Sequence, residues 1–254
     1  MLFINKAINP ILGTSVIDTF LGLCWNGAQY IGADYNTLPK NEIKTILLNE
    51  QANICCYCMR QLLNNYTTTL EHVAPHQASI EEFDMYTSPF IVANVLHKSL
   101  FDRTTQLIPP AQYPHDISYH NLVASCDSNS HCNHYRGDCL ILPLFYDNTV
   151  QTKVEYDDQG QVFSAEYLDT LAAVGVSTNN ELVIFRRIWS ELSNIKDDPE
   201  DVTEDDILEI IASMQTEVKY ERTLNNFWGN PSKKPDLLKY QWFFHYYKQL
   251  NNAN

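Results

Sequence analysis

The chain has 254 residues, of which 31 are acidic and 17 are basic, so its formal net charge at pH 7 is −14. This balance excludes a protein that holds nucleic acid by a general positive charge, because such binding depends on Lys and Arg side chains that neutralise phosphates. An apolar fraction of 44% and a charged fraction of 19% are typical of a globular chain rather than a disordered one. Any contact with nucleic acid therefore requires a local basic surface, a bound metal ion or a partner.

The sequence contains no apolar run close to the roughly 18 residues that a membrane span needs. Its first residues, Met-Leu-Phe-Ile-Asn-Lys, lack a basic region followed by a long apolar stretch, so we expect no secretory signal. There are seven cysteines, an odd number with one tight C-x-x-C pair, which favours a thiolate metal site over a disulfide framework. Together these features predict a cytoplasmic protein that does not enter a membrane.

The pattern along the chain predicts three parts: an N-terminal helical segment (1–51), a cysteine-rich core with an insertion (52–147), and a hairpin with a C-terminal helical region (148–254). In the first part, apolar residues at helical spacing predict an amphipathic helix with Asn41 as its N-cap. In the second part, residues 76–118 contain several prolines and are longer than an ordinary connection. We interpret them as an insertion, with a helix near residues 91–100.

The third part carries clear local signals. Residues 153–157 and 161–163 flank Asp-Gln-Gly, which predicts a β-hairpin. A long helix is expected from Asn179 onward, and residues 203–206 resemble a capping box that opens another helix. The aromatic tail at residues 240–247 is typical of a packed core helix, although aromatic residues also concentrate at partner surfaces.

Two pairs of cysteines suggest a metal clip. Cys55 and Cys58 have the C-x-x-C spacing of a knuckle, in which two thiolates of one turn reach the same tetrahedral ion. Cys126 and Cys132 would complete a four-thiolate site, for which zinc is the default ion. Their spacer is wider than the usual two residues, and Cys56 is either a spare buried thiol or a replacement ligand. A thioredoxin-like redox pair is a weaker interpretation, because it leaves the second pair of cysteines unexplained.

Between the two cysteine pairs lies the dipeptide Glu71-His72. Neighbouring side chains on a strand point to opposite faces, so these two share one site only where a strand bends or ends. The following Val73 and Pro75 make an ending plausible. Glu71 could then ligate a hard divalent cation while a neutral His72 takes a proton from water. Such a dipeptide is usually a surface pair, and its position between the cysteine pairs is what favours a functional site.

Three further polar residues belong to this stretch. Asn133 directly follows Cys132, so a metal-fixed turn would hold its amide oxygen rigidly. Arg136 comes three residues later on the same helical face and could contact a phosphate with both arms of its guanidinium. Asn121 supplies another amide, although a turn or cap role is nearly as well supported for it.

Taken together, the motifs C-x-x-C, E-H-x-x-P, N-L-x-x-S-C and C-N-x-x-R-G resemble the HNH endonucleases, the ββα-metal or His-Me finger nucleases. The resemblance implies an α+β fold in which a ββα-metal core with a zinc knuckle is embedded in a mostly helical protein. It implies Glu71 and Asn133 as ligands of a catalytic Mg²⁺ or Mn²⁺, His72 as general base and Asn121 as the residue that orients it.

In the same family, the cysteines are expected to hold a structural zinc ion that joins the hairpin to the helix; they are Cys55, Cys58, Cys126 and Cys132. Because of the wide spacer, Cys126 is the least certain ligand, with Cys139 and His131 as substitutes. The chain also departs from the commoner pattern in having Glu rather than Asp at position 71, and Asn133 where many members have a histidine.

Within the family, the chain is most similar to the nuclease subunits of Septu-type antiphage systems and to the related PtuB-like proteins carried with retrons. That resemblance implies an effector of antiphage defence that cleaves nucleic acid, with DNA as the expected substrate. It also implies that the nuclease acts together with an ABC-type or SMC-like ATPase. Such a partner would bring DNA to an acidic nuclease. The rival hypotheses are a non-catalytic zinc-knuckle module that binds protein and a thiol redox protein without tightly bound zinc.

Overall fold

The structure is a computed structural model that describes residues 1–6, 10–76, 107–108, 114–214, 224 and 234–252. The helices are α1 (Pro10–Cys24), α2 (Lys40–Glu50), α3 (Cys132–Arg136), α4 (Val150–Lys153), α5 (Leu168–Ala173), α6 (Asn180–Ile195), α7 (Glu204–Met214), α8 (Lys234–Leu238) and α9 (Trp242–Asn252). The strands are β1 (Tyr30–Ile31), β2 (Thr68–His72), β3 (Leu107–Ile108), β4 (Leu122–Cys126), β5 (Glu155–Tyr156) and β6 (Val162–Phe163).

The strands form small two-stranded sheets among the helices. β1 pairs with β3 in parallel, while β2 with β4 and β5 with β6 pair antiparallel. In the central pair, Glu71 lies opposite Val123 and His72 opposite Leu122. The predicted α+β class is therefore confirmed, with helix α3 following strand β4 after a short loop.

Strand β4 is buried along its whole length, as expected from its apolar Leu-Val-Ala sequence. One edge of β4 pairs with β2, and backbone groups on the other edge form hydrogen bonds with a side chain. The amide of Gln51, just after α2, donates to the carbonyl of Ala124 at 2.8 Å and accepts from its N–H at 2.7 Å. An amide side chain thus takes the place of a neighbouring strand and holds α2 against the sheet.

The start of β4 is anchored by a buried ion pair. Lys6 Nζ donates to Glu50 Oε2 at 2.9 Å and to the carbonyl of Leu122 at 2.7 Å. The hydroxyl of Tyr119 donates to the same oxygen of Glu50 at 2.9 Å. The N-terminal segment, the end of α2 and the start of β4 are therefore joined at one point inside the protein.

The C-terminal region packs as a helical layer around α6. Phe243, Phe244 and Tyr247 of α9 are buried, and the indole N–H of Trp189 in α6 donates to the carbonyl of Leu237 at 2.9 Å. The aromatic tail is therefore a core helix. None of the described helices has the length and apolar character needed to cross a membrane.

Some of the predicted helix ends and turns match the structure, and others do not. The helix expected at Asn41 begins at Lys40 and has Pro39 at its N-cap, so Asn41 is not the cap. The predicted hairpin is present but shorter, because Lys153 belongs to α4. Asn179 caps α6 by accepting the N–H of Leu182, and the capping box at residues 203–206 opens α7. The helix expected near residues 91–100 lies outside the described residues.

Candidate functional site

Four buried cysteines from two distant stretches come together in a single group: Cys55, Cys58, Cys126 and Cys132. Their sulfur atoms all lie within 4.8 Å of one another. Sγ of Cys55 is 3.8 Å from Sγ of Cys132, and Sγ of Cys58 is 3.7 Å from Sγ of Cys126. A tetrahedral ion with zinc–sulfur bonds of about 2.3 Å places its sulfur ligands ~3.8 Å apart. The group therefore has the donors and the spacing to hold a metal ion such as zinc.

The backbone of the knuckle explains how the first two sulfurs converge. The N–H of Cys55 donates to the carbonyl of Arg60 at 2.8 Å, and the N–H of Met59 donates to the carbonyl of Cys55 at 3.2 Å. Met59 has a φ of 66°, in the left-handed region, which reverses the chain directly after Cys58. This tight turn brings both thiols of the C-x-x-C pair to one point.

The alternative ligands are not members of the group. Cys139 is exposed, and Cys56 is buried beside the cluster without belonging to it. His131 is buried, and its Nε2 lies 3.4 Å from the hydroxyl oxygen of Tyr240. Cys126 is therefore the fourth cysteine of the site in spite of the wide spacer before Cys132.

The neighbouring thiols also shift one another's pKa. Burial raises the pKa of Cys55, but hydrogen bonds from the neighbouring cysteines outweigh burial and hold that pKa well below its ordinary value. Burial raises the pKa of Cys132 well above its ordinary value. Because a metal ion binds thiolates rather than thiols, loading of this site releases protons.

We expect purified protein to contain about one zinc ion per chain, because four convergent thiolates form a closed structural site. Cys58→Ser and Cys132→Ser should each lose this zinc, whereas Cys139→Ser is the matched control and should retain it. Elemental analysis of the three variants checks the prediction. Zinc that stays bound in Cys132→Ser would show that the two halves do not share one ion.

A second cluster lies at the end of β2. The hydroxyl of Tyr57 donates to Oε1 of Glu71 at 2.9 Å, and the guanidinium of Arg136 contacts the same oxygen. Arg136 also donates to the carbonyls of His72 and Val73, at 2.7 and 2.6 Å. Helix α3 is thereby fastened to the last residues of β2.

This arrangement corrects the prediction that Arg136 contacts a phosphate. Its side chain is fully enclosed, at 2% relative exposure, and its guanidinium is engaged by a buried carboxylate and by backbone carbonyls. The sequence placed the residue on the expected helix, but the helical face it occupies turns into the core. Burial raises the pKa of Glu71, while Arg136 and Tyr57 act in the opposite direction and favour its carboxylate form.

Replacing Arg136 with methionine should destabilise the protein by about 3–5 kcal/mol, because it leaves the Glu71 carboxylate buried without its cation. The double variant with Glu71→Gln should lose less than the sum of the two single variants. Denaturant unfolding of the four proteins measures this coupling. Additive losses would mean that the two side chains do not stabilise the fold as a pair.

His72 ends β2 and has a defined ring orientation. Its Nε2 lies 3.1 Å from the backbone carbonyl of Asp116. A carbonyl only accepts hydrogen bonds, so this contact favours a ring that carries a hydrogen on Nε2. The ring of Tyr35 packs on His72 with 4.5 Å between ring centroids. The imidazole is thus held by a backbone carbonyl and by a tilted aromatic ring.

Two residues beside His72 were missed by the sequence analysis. Oδ1 of Asp116 lies 3.9 Å from Nε2 of His72, and Oδ2 pairs with Nδ1 of His76 at 2.8 Å. Burial raises the pKa of Asp116 to about 7, against the lowering effect of His76. His76 follows the E-H-x-x-P motif directly and could have been noticed there. Asp116 comes from beyond the insertion, so no local pattern links it to His72.

Asn121 braces the loop that follows β2. Its Oδ1 accepts the N–H of Ala74 at 2.8 Å, and its Nδ2 donates to the carbonyl of the same residue at 3.0 Å. The backbone carbonyl of Asn121 accepts the N–H of Val73 at 2.9 Å. Asn121 is completely buried and fixes the backbone one and two residues beyond His72.

Replacing Asn121 with alanine should cost about 1–3 kcal/mol for each buried group of Ala74 that loses its partner. In Asn121→Asp an ionised carboxylate keeps the acceptor for the N–H but loses the donor, whereas a protonated carboxyl can supply both, so this variant should be least damaging at a pH where the carboxyl is protonated. Denaturant midpoints of both variants test this. Equal stability of wild type and Asn121→Ala would contradict the bracing role.

Asn133 is the second residue of α3 and lies against β2. Its Nδ2 donates to Oγ1 of Thr69 at 3.1 Å, and Thr69 shares a strand face with Glu71 because side chains alternate along a strand. Oδ1 of Asn133 and Oε2 of Glu71 accept no hydrogen bond from the described residues. Mg²⁺ is commonly bound by one or two carboxylates, with water and substrate phosphates completing its shell. Both are oxygen donors of the chemical type that such a cation binds.

No family model matches the chain, and comparison with curated proteins and with solved structures likewise gives no match.

Proposed function

We propose that this chain is a metal-dependent endonuclease subunit of the HNH type, which hydrolyses phosphodiester bonds in nucleic acid. DNA is the expected substrate. One observation carries the proposal. Strands β2 and β4 pair antiparallel, α3 follows β4, and the four-cysteine group joins the knuckle to the end of β4 and the start of α3, while His72 lies at the other end of β2. In this arrangement His72 ends the first strand, Asn121 precedes the second and Asn133 is the second residue of the helix.

His72 is the proposed general base. Its Nδ1 takes a proton from a water molecule as that water attacks phosphorus, while the N–H at Nε2 stays on the carbonyl of Asp116. When ionised, the carboxyl of Asp116, 3.9 Å from Nε2, favours the imidazolium that forms. Asn121 has a positioning role, because it fixes the loop that continues from His72.

A hard divalent cation, Mg²⁺ or Mn²⁺, would when bound stabilise charge on the phosphate and on the leaving oxygen. Glu71 and Asn133 are the residues that would hold it, through Oε2 and Oδ1. Arg136 keeps the carboxylate of Glu71 in place from the core side. The structural zinc ion of the same proposal lies in the cysteine group and stabilises the scaffold rather than the reaction.

Because the chain is acidic, it would need another molecule to hold nucleic acid at its site. With a net charge of −14, the free subunit repels a polyanion, and the buried Arg136 does not contribute to a phosphate-binding surface. An ABC-type or SMC-like ATPase partner that carries the DNA would remove this difficulty. The proposed setting, a cytoplasmic antiphage complex, rests on this requirement and on the motif resemblance.

A second candidate function is a non-catalytic zinc-knuckle module that binds another protein. It is favoured by the burial of Glu71, which is 4% exposed and tied to Arg136. Exposed apolar side chains at the end of α1, with Leu23 at 83% and Trp25 at 41%, also favour it. A thiol redox protein is less well supported, because four sulfurs at tetrahedral spacing favour a bound ion.

Replacing His72 with alanine should lower cleavage of supercoiled plasmid by about 10²-fold or more, the range expected for loss of a general base. Zinc content and circular dichroism should be unchanged. His245→Ala is the matched control, since His245 is exposed on α9, and it should cleave like wild type. Cleavage is measured with Mg²⁺ or Mn²⁺, for the chain alone and coexpressed with a candidate ATPase.

Full nicking by the His72→Ala protein would overturn the assignment. Wild-type protein that binds zinc and the ATPase, but leaves plasmid intact under all these conditions, would favour the protein-binding module instead.

A further inference from the structure

A tyrosine from the far end of the chain reaches the metal centre. Tyr240 lies between α8 and α9 and is buried, at 2% relative exposure. Its hydroxyl oxygen is 3.8 Å from Sγ of Cys58 and 3.4 Å from Nε2 of His131. The motifs of the central stretch do not include this residue, which is 182 positions from Cys58.

The backbone beside Tyr240 is attached to the knuckle as well. The N–H of Gln61 donates to the carbonyl of Lys239 at 2.7 Å. The guanidinium of Arg60 donates to Oδ1 of Asp236 at 3.1 Å. The C-terminal segment, residues 234–252, therefore meets the turn after Cys58 through a backbone contact, an ion pair and the Tyr240 hydroxyl.

The negative charge expected at the metal site suggests a role for the Tyr240 hydroxyl. A zinc ion with four thiolates has a net charge of −2, and a buried negative charge is stabilised by hydrogen-bond donors directed at its sulfurs. The N–H of Cys126 supplies such a donor to Sγ of Cys55 at 3.4 Å. The hydroxyl of Tyr240 is placed to do the same for Cys58, because a hydroxyl donates in one direction and accepts in another.

His131 completes the contact. It is buried next to Cys132, and its Nδ1 has no hydrogen-bond partner within the described part of the chain. When the Tyr240 hydroxyl donates to Cys58, its oxygen accepts the N–H at Nε2 of His131. The two cysteine-bearing segments are thus bridged outside the metal by a tyrosine from the third part of the chain.

We propose that Tyr240 and His131 form the outer shell of the metal centre, and that Tyr240 couples metal binding to the docking of the C-terminal segment. The coupling acts in both directions, because an interaction that favours the loaded, docked state strengthens metal binding and docking equally. This inference does not depend on nuclease activity.

The test compares Tyr240→Phe with Tyr247→Phe. Tyr247 is a buried tyrosine of α9 whose hydroxyl has no hydrogen-bond partner among the described residues, so its removal controls for a change in the aromatic core. Zinc affinity is measured by competition with a chromogenic chelator, and the thiolate-to-metal charge-transfer bands are recorded with Co²⁺. We expect Tyr240→Phe to weaken zinc binding by about tenfold or more and to shift the Co²⁺ bands, with Tyr247→Phe unchanged.

Hydrogen exchange of the zinc-saturated proteins supplies the second readout. Amides of residues 234–252 should exchange faster in Tyr240→Phe than in Tyr247→Phe, while those of β2 and β4 keep their protection. Wild-type zinc affinity and Co²⁺ bands in Tyr240→Phe would overturn the outer-shell role. Weakened zinc binding with unchanged exchange of residues 234–252 would overturn the coupling.

Discussion

Four buried sulfur atoms that converge on one point are the constraint on which the rest of the centre depends. Cys55 and Cys58 arrive on a tight turn, and Cys126 and Cys132 arrive from the end of β4 and the start of α3. Thiols packed this closely gain most from a shared cation, since burial alone disfavours their charged forms. The ion would thereby join segments about 70 residues apart and hold the sheet and helix in register.

A second attachment joins the end of α3 to the end of β2, away from the cysteine group. Arg136 on α3 binds the carboxylate of Glu71 and the carbonyls after it, so the end of β2 is held in the core rather than at the surface. Buried ion pairs of this kind are costly to break from one side. The pair engages Oε1 of Glu71, and the proposed role of Glu71 as a cation ligand therefore rests on its second oxygen, Oε2. His72 ends the same strand and lies among Asp116, His76 and Tyr35.

The acidic composition of the chain and the burial of Arg136 have the same consequence for the binding of nucleic acid. If the chain acts on nucleic acid as proposed, it would need another molecule to hold the polyanion, because its net charge is −14 and its Arg136 is buried. The C-terminal helical layer, with Tyr240 against the centre, is attached to the scaffold itself. A partner that binds this layer would therefore act on a surface mechanically joined to the metal site.

The sequence by itself predicted the grouping of the four cysteines, the hairpin around Asp-Gln-Gly, the helix from Asn179 onward and the capping box that opens α7. Each rests on short-range chemistry: thiolate spacing, alternation of apolar residues, or a side chain that caps its own helix. Only the tertiary structure decided that Arg136 faces inward, that Asp116 and His76 surround His72, and that Tyr240 reaches Cys58. These depend on which face of an element turns to the core and on contacts between residues far apart in the chain, which local sequence patterns do not encode.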